Sequence, residues 1–309
     1  MKRLQLATTH SPFGESNVTV IGQVTHDRYD QLYPGGCAYY AAIALKGLGA
    51  NVSLVSSVGQ DFLFARHLEG LRCIMRIGDK TTEFCNVYPS VGPRIQYVQN
   101  CAPNITDELL PQGWRSADLC ILAPVMGELN EVVWSKIRGA RHTAIFLQGY
   151  LKKAHTQVRN GRRLVVPFDG EFNWEMVRDV DSAFLSREDI ELFASTEFLR
   201  KLTTRVRTVA VTDGERGCRI YHEDTLVDVD IFPVDAVDST GAGDTFGAAT
   251  AMALAHGYPI ESAARLGSAA ASVVVEGVGG TRLDRIKYAF ERQHCIFAKT
   301  SSNSHSLAV

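Results

Sequence analysis

Short runs of β-branched and apolar residues alternate along this chain with helical stretches rich in alanine and other small residues. NVTVIG at 17–22 predicts a short strand ending in glycine. CAYYAAIALKGLGA at 37–50 predicts a small-residue helix closed by Gly47 and Gly49, and 51–61 predicts a second strand with its loop. Further strand candidates fall at 119–123, 144–147, 163–167, 183–185 and 208–212, with helical stretches such as 131–138 and 189–199 between them. Alternation of this kind is what a mostly parallel sheet with helices on its faces requires, so the fold class is α/β.

The pattern changes at residues 72–104. Two short β-like runs, 82–88 and 94–99, flank the turn-rich stretch PSVGP, and long helical periods are absent. This predicts a small β-rich unit, although a plain surface hairpin satisfies the same residues. The polar ends, 1–16 and 295–309, are expected to be flexible.

Candidate chemistry concentrates in DAVDSTGAGDTFGAAT at 235–250. A glycine-rich turn runs straight into a helical pattern in which Phe246, Ala249, Thr250 and Ala253 share a face and Gly257 and Pro259 supply the stop. Gly241 and Gly243 let the backbone approach a ligand, and the first amides of the helix make an anion site suited to phosphate. A carboxylate at Asp244 beside that phosphate is explained if it takes a proton from an attacking hydroxyl. An ordinary loop capped by Asp is the plain alternative. A dinucleotide fingerprint is disfavoured, because Gly247 falls one position beyond the GxGxxG spacing. Asp27 follows the first strand, where open α/β sheets bind ligands, and as an ionised acceptor it suits a polyol; a turn cap is the alternative. VTDGERGCRIY at 211–221 predicts a hairpin.

Composition narrows the classes. The chain has 309 residues, 45% of them hydrophobic, a formal net charge of -2 and a pI near 6.5, which leaves no footprint for nucleic acid or anionic membrane. Seven cysteines, scattered and without a CxxC pair, argue for reduced thiols and against zinc. No apolar run is long enough to span a bilayer, and MKRLQLATTHSPFGES lacks the apolar region of a signal peptide. The expectation is a cytoplasmic protein.

DSTGAGDTF resembles the C-terminal signature of the ribokinase-like (PfkB) carbohydrate kinases, and the similarity runs over about 18–283. The resemblance implies a three-layer sandwich with a small β-sheet lid. It divides the chain into a discontinuous core, 17–71 and 105–294, and a lid at 72–104 joined by residues near 28–34. By resemblance, Asp244 is the catalytic base, and the amides of Gly241, Ala242 and Gly243 form the anion hole. Asp238 and Thr240 contribute to a monovalent-cation site, such as one for K+. Asp27, with the glycine pair Gly35 and Gly36, orients the acceptor. Thr212 and Gly214 border the ATP. The family's Asn-x-x-Glu motif for Mg2+ and phosphate corresponds to Ser186 through Asp189, a departure in which Glu188 is a substitute candidate and a helix cap the plain alternative. In the family, residues like those at 261–280 flank the adenine.

Tyr40 stands where the family usually carries Asn, which resembles the inositol kinase branch, as do GERGCRIYHEDTL and the candidate hydroxyl partner Gln148. The implied function is ATP-dependent phosphorylation of a small polyol or sugar, with myo-inositol as the specific acceptor. An aromatic residue at 40 equally suits a nucleobase, so a nucleoside kinase stays open, as does another sugar kinase. A metabolite sensor without catalysis is the alternative of a different class. The resemblance also implies a monomer or a lid-mediated homodimer.

Overall fold

In a computed structural model, the protein is described at residues 11–87, 89, 94–137 and 139–302. Its first half contains β1 (Asn17–Ile21), β2 (Thr25–Arg28), β3 (Leu32–Gly35), α1 (Cys37–Gly47), β4 (Asn51–Gly59), β5 (Arg72–Gly78), β6 (Glu83–Val87), β7 (Ile95–Val98), β8 (Leu119–Leu122), α2 (Glu131–Lys136) and β9 (Thr143–Phe146). There follow α3 (Gln148–Leu151), β10 (Lys152–Arg159), β11 (Arg162–Pro167), β12 (Ser182–Ser186), α4 (Arg187–Phe193), α5 (Thr196–Thr203), β13 (Thr208–Thr212), β14 (Cys218–His222) and β15 (Thr225–Val229). The chain closes with α6 (Ala242–Ala255), α7 (Ile260–Val274), α8 (Ala289–Arg292) and β16 (Ala298–Ser302).

Among the described residues the strands form two sheets. The larger has the order β16-β15-β14-β13-β12-β9-β8-β1-β4-β5, parallel from β13 to β5 and antiparallel beyond β13. Its central strands are buried on both faces, and their alternation sorts two cores. Val18, Val20, Leu119, Ile121 and Phe146 face one core with α1, α6 and α7. Ile21, Cys120, Leu122, Ile145 and Leu185 face the other, under α2 and α5. This is the three-layer arrangement that near-continuous apolar strands predict. α6 is buried almost all round, which explains its small residues.

The smaller sheet has the order β10-β11-β7-β6-β2-β3. Its inner side carries Phe84, Asn86, Gln96 and Lys152, while Val87, Ile95 and Leu164 are exposed.

Several sequence expectations need correction. Arg72–Gly78, assigned to the lid, runs parallel to β4 through seven paired residues as the edge of the large sheet. β-like composition does not say which sheet a strand joins. Conversely, the 163–167 candidate lies in the small sheet, antiparallel to both β7 and β10. Between β10 and β11, Asn160 and Gly161 both have positive φ (51° and 74°), the Asn-Gly geometry of a two-residue hairpin. The helical stretch 189–199 is divided between α4 and α5, where the Ser195 side chain accepts from Phe198 N–H and starts a new helix. Of the ends expected to be flexible, Phe13 is fully buried against His256 and Phe290, and Ala298–Ser302 pairs with β15. Residues 1–10 and 303–309, and 90–93 of the PSVGP turn, lie outside the described residues.

The small sheet has one wetted face and a one-sided core, so its backbone opens more readily than β8, β9 and β12. In hydrogen exchange of the free protein, β6, β7, β10 and β11 are expected to exchange faster than those central strands and to slow when substrate and nucleotide are added. Equal protection with and without ligands would count against a closing lid.

Candidate active site

A cavity of about 730 Å³ lies between the inner side of the small sheet and the strand ends of the large one. It opens where β1, β9, β12 and β13 end, the edge at which open α/β sheets place ligands. The Asp238–Gly241 turn delivers α6 to its floor. Gly241 is the N-cap, in the left-handed region (φ 80°, ψ −1°), and a Cβ there would stand 2.2 Å from the Tyr40 ring. Only glycine meets both conditions. The Ala242 N–H donates to Ser239 O (3.2 Å), while those of Gly241 and Gly243 make no hydrogen bond among the described residues. Two amides without a partner at the head of a fourteen-residue helix therefore belong to the cavity lining, backed by its dipole.

Asp244, in the first turn of α6, also lines the cavity. Its Oδ1 accepts from Gln148 Nε2 (3.0 Å), and Gln148 also lies against Cys37 Sγ (2.8 Å). Gln148, expected to meet a substrate hydroxyl, is thus engaged in orienting Asp244. Burial pushes the Asp244 carboxyl up to about 6, the Cys37 thiol, Lys152 and Gln148 pulling against it and Asp189 adding to it.

Asp27 is buried in the cavity lining, its Oδ1 accepting from Thr25 Oγ1 (2.9 Å). Burial raises this carboxyl to about 6 as well, against the Thr25 hydroxyl and Arg94 and with help from Asp238 and Asp244. Gly35 does not line the cavity. It lies under Asp27, whose carboxyl carbon is 2.2 Å from where a Cβ would be, so any side chain there would displace the acid. Gly36 and Tyr40 line the wall. Only 1% of Tyr40 is exposed, so it offers no open face for stacking. Its hydroxyl is buried and makes no hydrogen bond among the described residues.

Ser186, Asp189, Thr212 and Gly214 line the opposite end. Ser186 and Asp189 form a capping box on α4: Asp189 Oδ2 accepts from Ser186 N–H (2.8 Å) and Oγ (2.7 Å), and Ser186 Oγ accepts from Asp189 N–H (3.0 Å). Glu188 is paired with Arg94, across the cavity mouth (3.2 Å). Asp238 lies outside the lining and ties two turns together, accepting from Thr240 N–H (2.9 Å) and Gly279 N–H (3.1 Å). Thr240 Oγ1 meets Tyr29 Oη (2.5 Å), and a monovalent cation would have to share these oxygens. Among the described residues no cluster of three or more His, Cys, Asp or Glu side chains is arranged to hold a metal.

The cavity also holds residues that sequence reasoning passed over. Lys152 is one, four positions after Gln148 in QGYLK; the polar run KKAHTQVR hid its strand. Phe232 is another, lining an apolar end with Pro233, Val234, Ala271 and Val275, and backed by the Arg292 guanidinium at 4.9 Å.

Comparison with known proteins fits this geometry. Residues 174–285, which include the turn and α6, match the family described as pfkB family carbohydrate kinase. That match is confined to the stretch carrying the turn and its helix. Across 97% of its length the chain is 27% identical to an inositol 3-kinase of Arabidopsis thaliana, covering 88% of that protein. It is also 26% identical to a nucleoside kinase of Methanocaldococcus jannaschii, over 80% of each chain. The fold is shared with a solved pyrophosphate-dependent myo-inositol-1 kinase converted into a myo-inositol-3 kinase, with a TM-score of 0.75 at 18% identity, over 90% of this chain and 99% of that one. The ribokinase-like sandwich expected from the sequence is the fold observed.

The raised Asp244 carboxyl has a stability consequence. Its folded pKa lies above the unfolded value, so ionisation costs stability as pH rises toward and through about 6. Asp244→Asn is therefore expected to stabilise the ligand-free protein by about 1–3 kcal/mol at pH 7.5, with the gain shrinking as pH is lowered below 6. Urea unfolding across that range checks it, and a pH-independent difference would contradict the assignment.

Proposed function

We propose that this protein transfers the γ-phosphoryl group of ATP to a hydroxyl of a small polyol, with myo-inositol as the preferred acceptor. The observation that carries the reading is the half-buried Asp244 at the head of α6, in one cavity with the buried Asp27. A base beside an anion site is what phosphoryl transfer to an alcohol needs, and a non-catalytic sensor has no use for it.

In this mechanism Asp27 holds acceptor hydroxyls beside the Tyr40 wall, and Asp244, aimed by Gln148, takes the proton of the attacking one. The Gly241 and Gly243 amides, with Ala242 beside them, stabilise charge on the phosphoryl oxygens. Thr212 and Gly214 flank the triphosphate, and the apolar end at Phe232 receives the base. That apolar end favours a nucleotide donor over pyrophosphate, which has no base to bury. Were Mg2+ bound with the phosphates, Asp189 would be the lining carboxylate offered to its water shell, and Asp238 and Thr240 would be the candidate ligands for K+. The small sheet, acting as a lid, keeps water from the phosphoryl group.

Support for the acceptor comes from the inositol 3-kinase similarity and from the polar lining on the acceptor side, where Thr25, Asp27, Asn86 and Gln96 meet. A ligand hydroxylated on every carbon suits such a wall better than a nucleobase. Side by side, kcat/KM for myo-inositol is expected to exceed the values for ribose, fructose and adenosine. A clear preference for a nucleoside would sink the assignment. For whichever acceptor is used, Asp244→Asn is expected to lower turnover about 10²- to 10⁴-fold while ATP binding measured by calorimetry stays largely intact. Near-normal turnover would remove Asp244 from the mechanism.

A further inference from the structure

Lys152 is the first residue of β10, where the chain leaves α3 for the small sheet. It is 6% exposed and lines the cavity. Its Nζ donates one hydrogen bond, to Gln96 Oε1 (2.9 Å), and lies 5.7 Å from the centre of the Phe84 ring. Gln96 in turn donates through Nε2 to Asn86 Oδ1 (2.9 Å), so three strands of the small sheet are linked across its inner side.

An ammonium has three donors, and here two of them have no partner among the described residues. Nor does Lys152 form a direct ion pair there, which is unusual for so deeply buried a charge. The carboxylates close enough to favour its charge are Asp189 and Asp244, the first on the nucleotide side and the second at the turn. Burial and Arg94 oppose them, so its pKa is lowered. Asp27, by contrast, takes its positive influence from Arg94. The ammonium therefore sits in the cavity lining, held by Gln96 of the polar wall and within electrostatic reach of Asp189 and Asp244.

We propose that Lys152 is a further catalytic residue, a cation supplied by the lid that contacts the phosphoryl group during transfer. The proposal rests on the phosphoryl-transfer reading of the site. As the acceptor oxygen forms its bond to Pγ, the bond from Pγ to the β,γ-bridging oxygen breaks. ADP leaves with that electron pair, and the acceptor proton passes to Asp244. Negative charge on the transferring oxygens is met by the α6 amides and by Lys152. The anionic group also relieves the ammonium of its exposure to a low-dielectric site without a counter-ion. Because Lys152 and Gln96 belong to the small sheet, an open lid lacks this charge, and the donor is activated only when the lid is down.

The test uses Lys152→Met and Lys152→Arg in the full chain, with Asp244 intact. Steady-state kinetics are combined with calorimetry of ADP alone and of ADP with aluminium fluoride, both in MgCl2. Removing the charge should lower kcat about 10²- to 10³-fold, the range for losing one preorganised donor. The acceptor KM should move less than about threefold, and K152R should recover at least about tenfold in kcat. K152M should also lose the tighter binding of ADP–fluoroaluminate over ADP that the native protein shows. A raised acceptor KM with unchanged kcat and intact fluoroaluminate preference would make Lys152 an acceptor contact and overturn the proposal. Unchanged kinetics and binding would overturn it as well. Lys152→Gln, which keeps a donor for Gln96, gives the same readings should K152M not fold. If the native protein phosphorylates none of the acceptors tried, the acceptor reading fails by itself. The fluoroaluminate comparison then still judges Lys152, loss of preference supporting the proposal and retention overturning it.

Discussion

Ionisable groups held out of water in one cleft set the terms for the rest of this structure. Desolvation in the cleft pushes the carboxyls of Asp244 and Asp27 up to about 6, and among the described residues neither forms an ion pair. Native proteins tolerate such groups where the surrounding fold supplies enough stability to keep them. Here the surplus comes from the double-sided burial of β1, β8, β9 and β12 and from α6 enclosed between α1 and α7. The wide parallel sheet is the rigid part, and the poorly solvated acids are arranged along its strand ends.

The small sheet has a different relation to those charges. It contributes polar and cationic groups, Asn86, Gln96, Arg94 and Lys152, to a cavity whose acids come mainly from the other side. Arg94 and Glu188 meet across the mouth, one from each layer. The electrostatic complement of the site is thereby divided between the two sheets.

Much of this was legible in the sequence. DSTGAGDTF located the turn, the helix start and the acid within it, because a left-handed glycine, free amides and a first-turn carboxylate are all local properties. The parallel strands were legible because burial on both faces leaves continuous apolar runs. What stayed hidden depends on partners distant in sequence. Nothing in RCIMRIG says that it pairs with β4 and not with the lid, and AKTSS becomes a strand only because β15 offers it an edge. KKAHTQVR reads as polar because β10 has a wet side, although Asn160-Gly161 was a usable hairpin signal. Ser186 and Asp189 read equally well as a cap and as a ligand pair, and the cap is what their geometry forms. Lys152 could be recognised only once its strand had an inside.

Tyr40 and Gly241 are separated by 201 positions, yet the tyrosine ring occupies the space that a side chain at Gly241 would need. The tyrosine that lines the cavity wall is thus also the shelf on which the glycine turn rests. Across evolution this makes position 40 a poor place for gradual change. Exchanging the tyrosine for a smaller residue would reshape the compartment and withdraw support from the turn in a single step. A lineage that alters its acceptor here must re-seat the glycine loop at the same time, so specificity and rate are inherited together at this position.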